Sequence, residues 1–466
     1  MRYVSTRGGA EPRDFEGVLL AGLAEDGGLF VPETWPELSA AEWRALRGLD
    51  YPALAARLIA RFTGPALPEA ELLPLCQAAY AGFAHPAVVP LVQLGPHLFV
   101  QELFHGPTLA FKDLALQLVG RLFEASLAKR GGEIAIVGAT SGDTGSAAIA
   151  ACAGRARIRI AILHPDGRTS EVQRRQMTTV LAPNVTNIAV AGSFDDCQDL
   201  VKAMFADTPF REAVHLSAVN SINWARIAAQ IPYYAAAALA LGAPDREIVF
   251  AVPTGNFGNV LAAWAARRMG LPVTRLIVGS NQNDILARFL AANDMSRRAV
   301  VPSLSPSMDI QVSSNFERLL FELLDRDPRA TAAAMQQFRA AGQMPVPDAA
   351  WRRATALFAG HAVDDAATLA EIRRVEASSG YLVDPHTAVG MAAARALSPQ
   401  GIQTVVAATA HPAKFPDAIE AAVGRRPPLP SHLADLYDRD EHYVRLPAEL
   451  GRIEAVVRSA SLRNAA

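Results

Sequence analysis

Lysine is nearly missing from this sequence. Of its 44 basic residues only Lys112, Lys129, Lys202 and Lys414 are lysine, and the others are arginine. Where any cation serves, the chain uses a guanidinium, so each remaining lysine is a candidate for work that needs a primary amine, such as forming an imine. Cysteine is scarce too. Cys76, Cys152 and Cys197 are odd in number, far apart and in no C-x-x-C pattern, which argues against a disulfide framework or a zinc site and leaves them as small core residues. No apolar stretch reaches the ~18 residues that a membrane-spanning helix needs; Ala235–Leu241 comes closest. The opening residues Met1–Arg7 carry no apolar export signal, so the expected compartment is the cytoplasm. A formal charge of −2 supplies no basic face for nucleic acid.

With 466 residues, two or three domains are expected. Residues 1–96 read as a mainly helical N-terminal domain, in which Ala40–Leu46 and Tyr51–Phe62 are short amphipathic segments separated by Pro and Gly. From His97 onward, short apolar runs alternate with glycine-containing turns and helical periodicity. The runs are His97–Phe104, Glu133–Val137, Ile158–Leu163, Asn187–Val190, Glu247–Val252, Thr274–Val278 and Thr404–Ala408. Strands this apolar are buried on both faces, so the expected fold is α/β, with two open, mostly parallel sheet domains at 97–236 and 237–466 and helices on both faces. Arg297–Asp365 reads as a helical insertion at a domain edge. The charged tail beyond Pro427 is given no chemistry. Ligands of such sheets sit beyond the carboxyl ends of the strands, so the turns there are where chemistry is expected.

Four turns stand out. In His105-Gly106-Pro107-Thr108-Leu109-Ala110-Phe111-Lys112-Asp113, Thr108 is the expected N-cap and Lys112 falls in the first helical turn. There the helix dipole disfavours the protonated amine by ~0.3–1 kcal/mol, although a solvated lysine fits the same pattern. Ile136–Gly145 joins a strand to a helix through a glycine turn whose amides suit an anion. Gly255-Asn256-Phe257-Gly258-Asn259 is a second anion cradle, suited to a phosphate monoester. None of these turns has the G-x-G-x-x-G spacing of a dinucleotide site or a Walker G-K-[ST]. Thr409, in Thr409-Ala410-His411-Pro412-Ala413-Lys414-Phe415, offers a hydroxyl to a ring nitrogen. Two further helix starts, Asn220-Ser221-Ile222-Asn223-Trp224-Ala225-Arg226 and Ser313-Ser314-Asn315-Phe316-Glu317-Arg318, pair small polar caps with an arginine, as anion sites do and as plain caps do.

Together these segments resemble the threonine synthase family of pyridoxal phosphate enzymes, whose fold is that of the tryptophan synthase β chain. The resemblance runs over nearly the whole chain, from Tyr3-Val4-Ser5-Thr6-Arg7-Gly8 and Leu23–Leu29 to His411–Phe415. It implies that Lys112, in a HGPTxAFKD motif, holds the cofactor as a Schiff base and moves protons, that Gly255–Asn259 hold its phosphate, and that Thr409 partners its ring nitrogen. Asp143 stands where the wider fold often has an asparagine touching the ring oxygen. The implied reaction turns O-phospho-L-homoserine and water into L-threonine and phosphate. Asn220, Ser221, Arg226, Ser314, Asn315 and Arg318 are candidates for the substrate phosphate, Lys414 equally for that phosphate or for a structural ion pair, and Ser141 and Thr144 for the substrate carboxylate. His386, in Asp384-Pro385-His386-Thr387, matches a family segment without an assigned role. No metal is implied, and the expected assembly is a monomer or homodimer.

Rival readings are a serine or threonine dehydratase or a phospholyase on the same fold, and a pyridoxal-phosphate-binding homologue without turnover. The arginine-bearing helix starts and the N-terminal segment favour the synthase. A nucleotide-dependent oxidoreductase would need the glycine spacing that these turns lack.

Overall fold

Two parallel sheets share the molecule, and the active-site turns lie at their carboxyl ends. The computed structural model describes residues 1–217 and 221–462. At the N-terminus β1 (Tyr3–Ser5) pairs antiparallel with β2 (Phe30–Pro32) beside the helices Phe15–Ala21, Ala40–Ala45, Tyr51–Thr63 and Glu69–Tyr80. The six-stranded sheet contains β3 (Leu91–Gly95), β4 (Leu98–Glu102), β9 (Ile248–Pro253), β10 (Val273–Ser280), β11 (Phe358–Ala362) and β12 (Gln403–Ala408), in the order β11-β10-β9-β12-β4-β3. Only β3 runs antiparallel to its neighbour. The five-stranded sheet is all parallel. It orders β5 (Ile134–Ala139), β6 (Ile158–Pro165), β7 (Val185–Ala191), β8 (Leu216–Ser217) and β13 (Val444–Pro447) as β13-β7-β6-β5-β8.

Side chains along a strand alternate faces, and both faces of these sheets are dry. In β9, Ile248, Phe250 and Val252 enter one large core, while Val249 and Ala251 enter a second beneath the other face. In β5, Ile134 and Ile136 join the large core, and Ala135 and Val137 pack against the opposite helices. The large core also takes in the N-terminal helices, so that region is packed into the body. The Tyr80 hydroxyl, for example, donates to the Leu114 carbonyl at 3.1 Å.

All seven apolar runs are strands, but sheet membership does not follow the expected boundaries. β4, placed in a 97–236 domain, pairs with β12 of the six-stranded sheet. β13, placed in a 237–466 domain, pairs with β7 of the other sheet. The expected insertion is not wholly helical: Phe358–Ala362 is the edge strand β11, pairing with β10. The tail contributes β13 and the helix Leu450–Leu462. Thr108 is not an N-cap. The helix Lys112–Arg130 starts later, and the Asp113 carboxylate instead accepts from the Thr108 amide and hydroxyl, both at 2.7 Å. Among the described residues no helix is long and apolar enough to cross a membrane.

Candidate active site

Backbone bonds between strand ends bring the expected turns together. Beyond β4 and β12, the Phe111 amide donates to the Thr409 carbonyl at 2.9 Å and the His411 amide to the Leu109 carbonyl at 3.0 Å. This sets Lys112 and Thr409 on one cavity, whose wall also includes Asp143, Thr144, Ser221, Arg226, Gly255, Asn256, Gly258, Asn259, Ser307 and His386.

The Lys112 ammonium donates to Asp143 Oδ2 at 3.0 Å, with its side chain 12% exposed. Burial pushes this amine below the ordinary lysine value; Asp143 opposes the shift, and Lys414 and Arg226 add to it. Asp143 opens the helix Asp143–Cys152 and accepts four bonds. Lys112 and the Ser307 hydroxyl (2.9 Å) share Oδ2; Lys414 (2.8 Å) and Gln173 Nε2 (2.9 Å) share Oδ1. Burial works to raise the carboxyl, but Lys112, Lys414 and His386 overcome it and hold Asp143 well below the usual range. Gly142 has φ 145°, and a Cβ there would meet Gln173 Cδ at 2.4 Å, so only glycine lets Gln173 reach Asp143.

The turn after β9 is built as a cradle. Its carbonyls are engaged from behind: Ser313 donates to Gly255 O at 2.7 Å, and Asn315 donates through its amide and side chain to Asn256 O at 3.0 and 3.1 Å. The first amides of the following helix, Gly258–Arg268, have no intrahelical partner. Phe257 takes left-handed backbone (φ 63°) and turns its ring into the core against Phe316 and Phe358. A Cβ on Gly255 would stand 3.1 Å from both Ser307 O and Met308 Cα, so the close approach of the Ser307–Met308 backbone to this turn depends on glycine.

Several expected substrate contacts are placed otherwise. Arg318 is a structural tie, because its guanidinium donates to Phe30 O at 2.9 Å and to Ile222 O and Asn315 Oδ1. Asn315 is spent on the cradle, and Ser314 donates to Asn256 Oδ1 at 3.2 Å. Lys414 lies behind Asp143 with no exposure. Ser141 is exposed outside the cavity wall. Asn220 lies outside the described residues. Arg226, Ser221 and Thr144 do face the cavity. Arg226 is buried, and its Nε and Nη1 have no partner among the described residues. Burial pulls it down to about 10, which leaves it a cation at neutral pH.

Sequence reasoning missed Ser307 and Gln173, which sit in a Pro-rich loop and on an ordinary polar helix, with no motif to mark them. His386 is given a place: its Nδ1 lies 2.8 Å from Asp384 Oδ2 and its Nε2 accepts from the Ser307 amide at 3.3 Å. No group of His, Cys, Asp or Glu among the described residues is arranged to hold a metal.

Three family models match the chain in succession: threonine synthase N terminus over residues 2–80, pyridoxal-phosphate dependent enzyme over 86–344, and threonine synthase, C-terminal over 387–457. The chain belongs to the threonine synthase family. A threonine synthase of Pseudomonas aeruginosa is 54% identical over 459 residues, 98% of each chain. The crystal structure of a PLP-bound threonine synthase from Brucella melitensis matches with a TM-score of 0.97 at 50% identity, covering 99% of both chains. That of the yeast enzyme matches with a TM-score of 0.93 at 37% identity, again over 99% of both. The fold, the pyridoxal phosphate cofactor and the lyase class that the sequence resemblance implied are those of this family, and they hold for this chain.

Proposed function

We propose that the chain converts O-phospho-L-homoserine and water into L-threonine and inorganic phosphate, with pyridoxal phosphate carried on Lys112. The observation that supports this substrate best is Arg226, a buried guanidinium with two nitrogens unpartnered among the described residues, on the wall of a cavity that already has a separate phosphate cradle. One phosphate cradle serves a phosphorylated cofactor. A second free cation beside it suits a substrate with its own phosphate.

The residues fit the cofactor. The amides from Gly255 to Asn259, without partners among the described residues, would hold its phosphate, Thr409 its ring nitrogen, and Asp143, already ringed by donors, its ring oxygen. When bound, the cofactor supplies the electron sink that stabilises carbanions at the substrate's carbons. A hydroxyl at the ring nitrogen, unlike a carboxylate, does not hold the ring protonated. Lys112 is the proton carrier: its amine, kept low by burial, takes a proton from the substrate's Cα and moves protons at Cβ. Arg226 and Ser221 bind the γ-phosphate and steady it as it leaves. Thr144 and the amides at the start of its helix bind the substrate carboxylate. Phe111 and Met308 give the cavity wall an apolar part.

The test measures phosphate and threonine released from O-phospho-L-homoserine, with visible absorbance recorded in the same samples and Lys112→Ala as control. Equal amounts of both products, lost in the variant together with the visible band, are the expected result. A coloured protein that releases no phosphate would move the reading to a dehydratase.

A further inference from the structure

Lys414 is fully buried, yet it is outside the cavity wall. Its ammonium donates to Asp143 Oδ1 at 2.8 Å and to the Thr108 carbonyl at 2.7 Å. One cation thus joins three catalytic segments: the turn carrying Lys112, the helix start carrying Asp143, and the strand end carrying Thr409. Burying an ammonium costs several kcal/mol unless it is paired, and in a chain that writes arginine almost everywhere, this position keeps lysine.

The pairing is divided. Lys414 takes Oδ1 of Asp143 and Lys112 takes Oδ2, so one carboxylate serves two ammoniums. We propose that Lys414 is a positioning residue, which acts through Asp143 and, by occupying half of that carboxylate, keeps the Lys112 amine available as nucleophile and base. Beside an unshared carboxylate Lys112 would be held as an ammonium. Beside no carboxylate it would have nothing to orient it. The other charged or titratable groups in reach are Arg226 facing Lys112, His386 facing Asp143, and Asp113 facing Lys414. The proposal rests on Lys112 being the cofactor's amine.

Condensing an amine with an aldehyde needs the unprotonated amine; a C=N bond forms and water leaves. The rate at which pyridoxal phosphate, added to cofactor-free protein, develops its visible band therefore titrates Lys112, without reference to turnover. Lys414→Met is expected to move the midpoint of this pH profile upward by about one pH unit, and Asp143→Asn to move it downward. In Asp143→Asn/Lys414→Met the midpoint should stay within roughly half a unit of Asp143→Asn, because the carboxylate through which Lys414 acts is gone. An unchanged midpoint in Lys414→Met overturns the proposal, as does absence of the band at every pH in a folded Lys414→Met protein. If Lys414→Met does not fold, the comparison of the double variant with Asp143→Asn decides: midpoints within roughly half a unit of each other support action through Asp143, and a wider separation sinks it. Lys112→Ala is the control. If it develops the same band, the assignment of Lys112 fails, which is a different result from a failure of Lys414.

Discussion

Arg7 grips Glu317 with two hydrogen bonds, Nε to Oε1 at 2.9 Å and Nη2 to Oε2 at 2.7 Å. The Thr6 hydroxyl adds a third at 2.7 Å, and the Glu317 side chain is 3% exposed. Because Glu317 adjoins Arg318, and Ser313 and Asn315 just before them brace the Gly255 turn, this pair fastens the N-terminal hairpin to the back of the cofactor cradle. Removing one partner leaves a carboxylate buried without its cation. Arg7→Ala is expected to lower the free energy of unfolding by about 3 kcal/mol, read from urea denaturation.

Arg226 gives a prediction about binding. A charge-assisted hydrogen bond contributes about 2 kcal/mol, roughly 30-fold in affinity. Arg226→Met should therefore raise KM for O-phospho-L-homoserine by about that factor while the protein still develops its visible cofactor band. A KM that does not move would remove Arg226 from the phosphate site.

Stability should depend on pH through His411. Its Nδ1 accepts the Ala413 amide at 3.1 Å, its ring lies edge-on to Phe104, and burial, with help from His105, pulls it down to about 4. Since the folded value lies below the unfolded one, the stabilisation is complete above the unfolded value and is lost as pH falls through the folded one. Between pH 7 and pH 5 the unfolded chain takes up a proton that the folded protein refuses, a loss of about 2 kcal/mol. His411→Gln should remove most of that slope in urea unfolding at the two pH values.

The strands most legible in the sequence were those with unbroken apolar runs, such as Glu247–Val252, because burial on both faces leaves no polar position to interrupt them. β11 was hidden. Phe358-Ala359-Gly360-His361-Ala362 has an edge strand's mixed burial and closely follows the helix Asp348–Thr355. The turns singled out for Lys112, Asp143, Gly255 and Thr409 do meet on one cavity wall, since a turn after a parallel strand opens at the sheet's carboxyl end. The motifs could not say which arginine is free. Arg226 and Arg318 have the same local pattern, and the carbonyls of Phe30 and Ile222, both far away in sequence, occupy Arg318 together with Asn315 Oδ1. For Lys414 the sequence leaves a substrate ligand and a structural ion pair equally open, and the bond to Asp143 gives the ion pair.

The strand order carries a consequence for synthesis. β12 lies between β9 and β4, so the β3–β4 hairpin that leads into Lys112 is made early and has no inner neighbour until residues 403–408 leave the ribosome. The edge of β7 stays open until residues 444–447 appear. A nascent chain therefore holds two unfinished sheet edges, of the kind that invite wrong pairing, for most of its translation. The cavity gains Thr409 only when β12 is made, and the second sheet gains its last strand only with the tail.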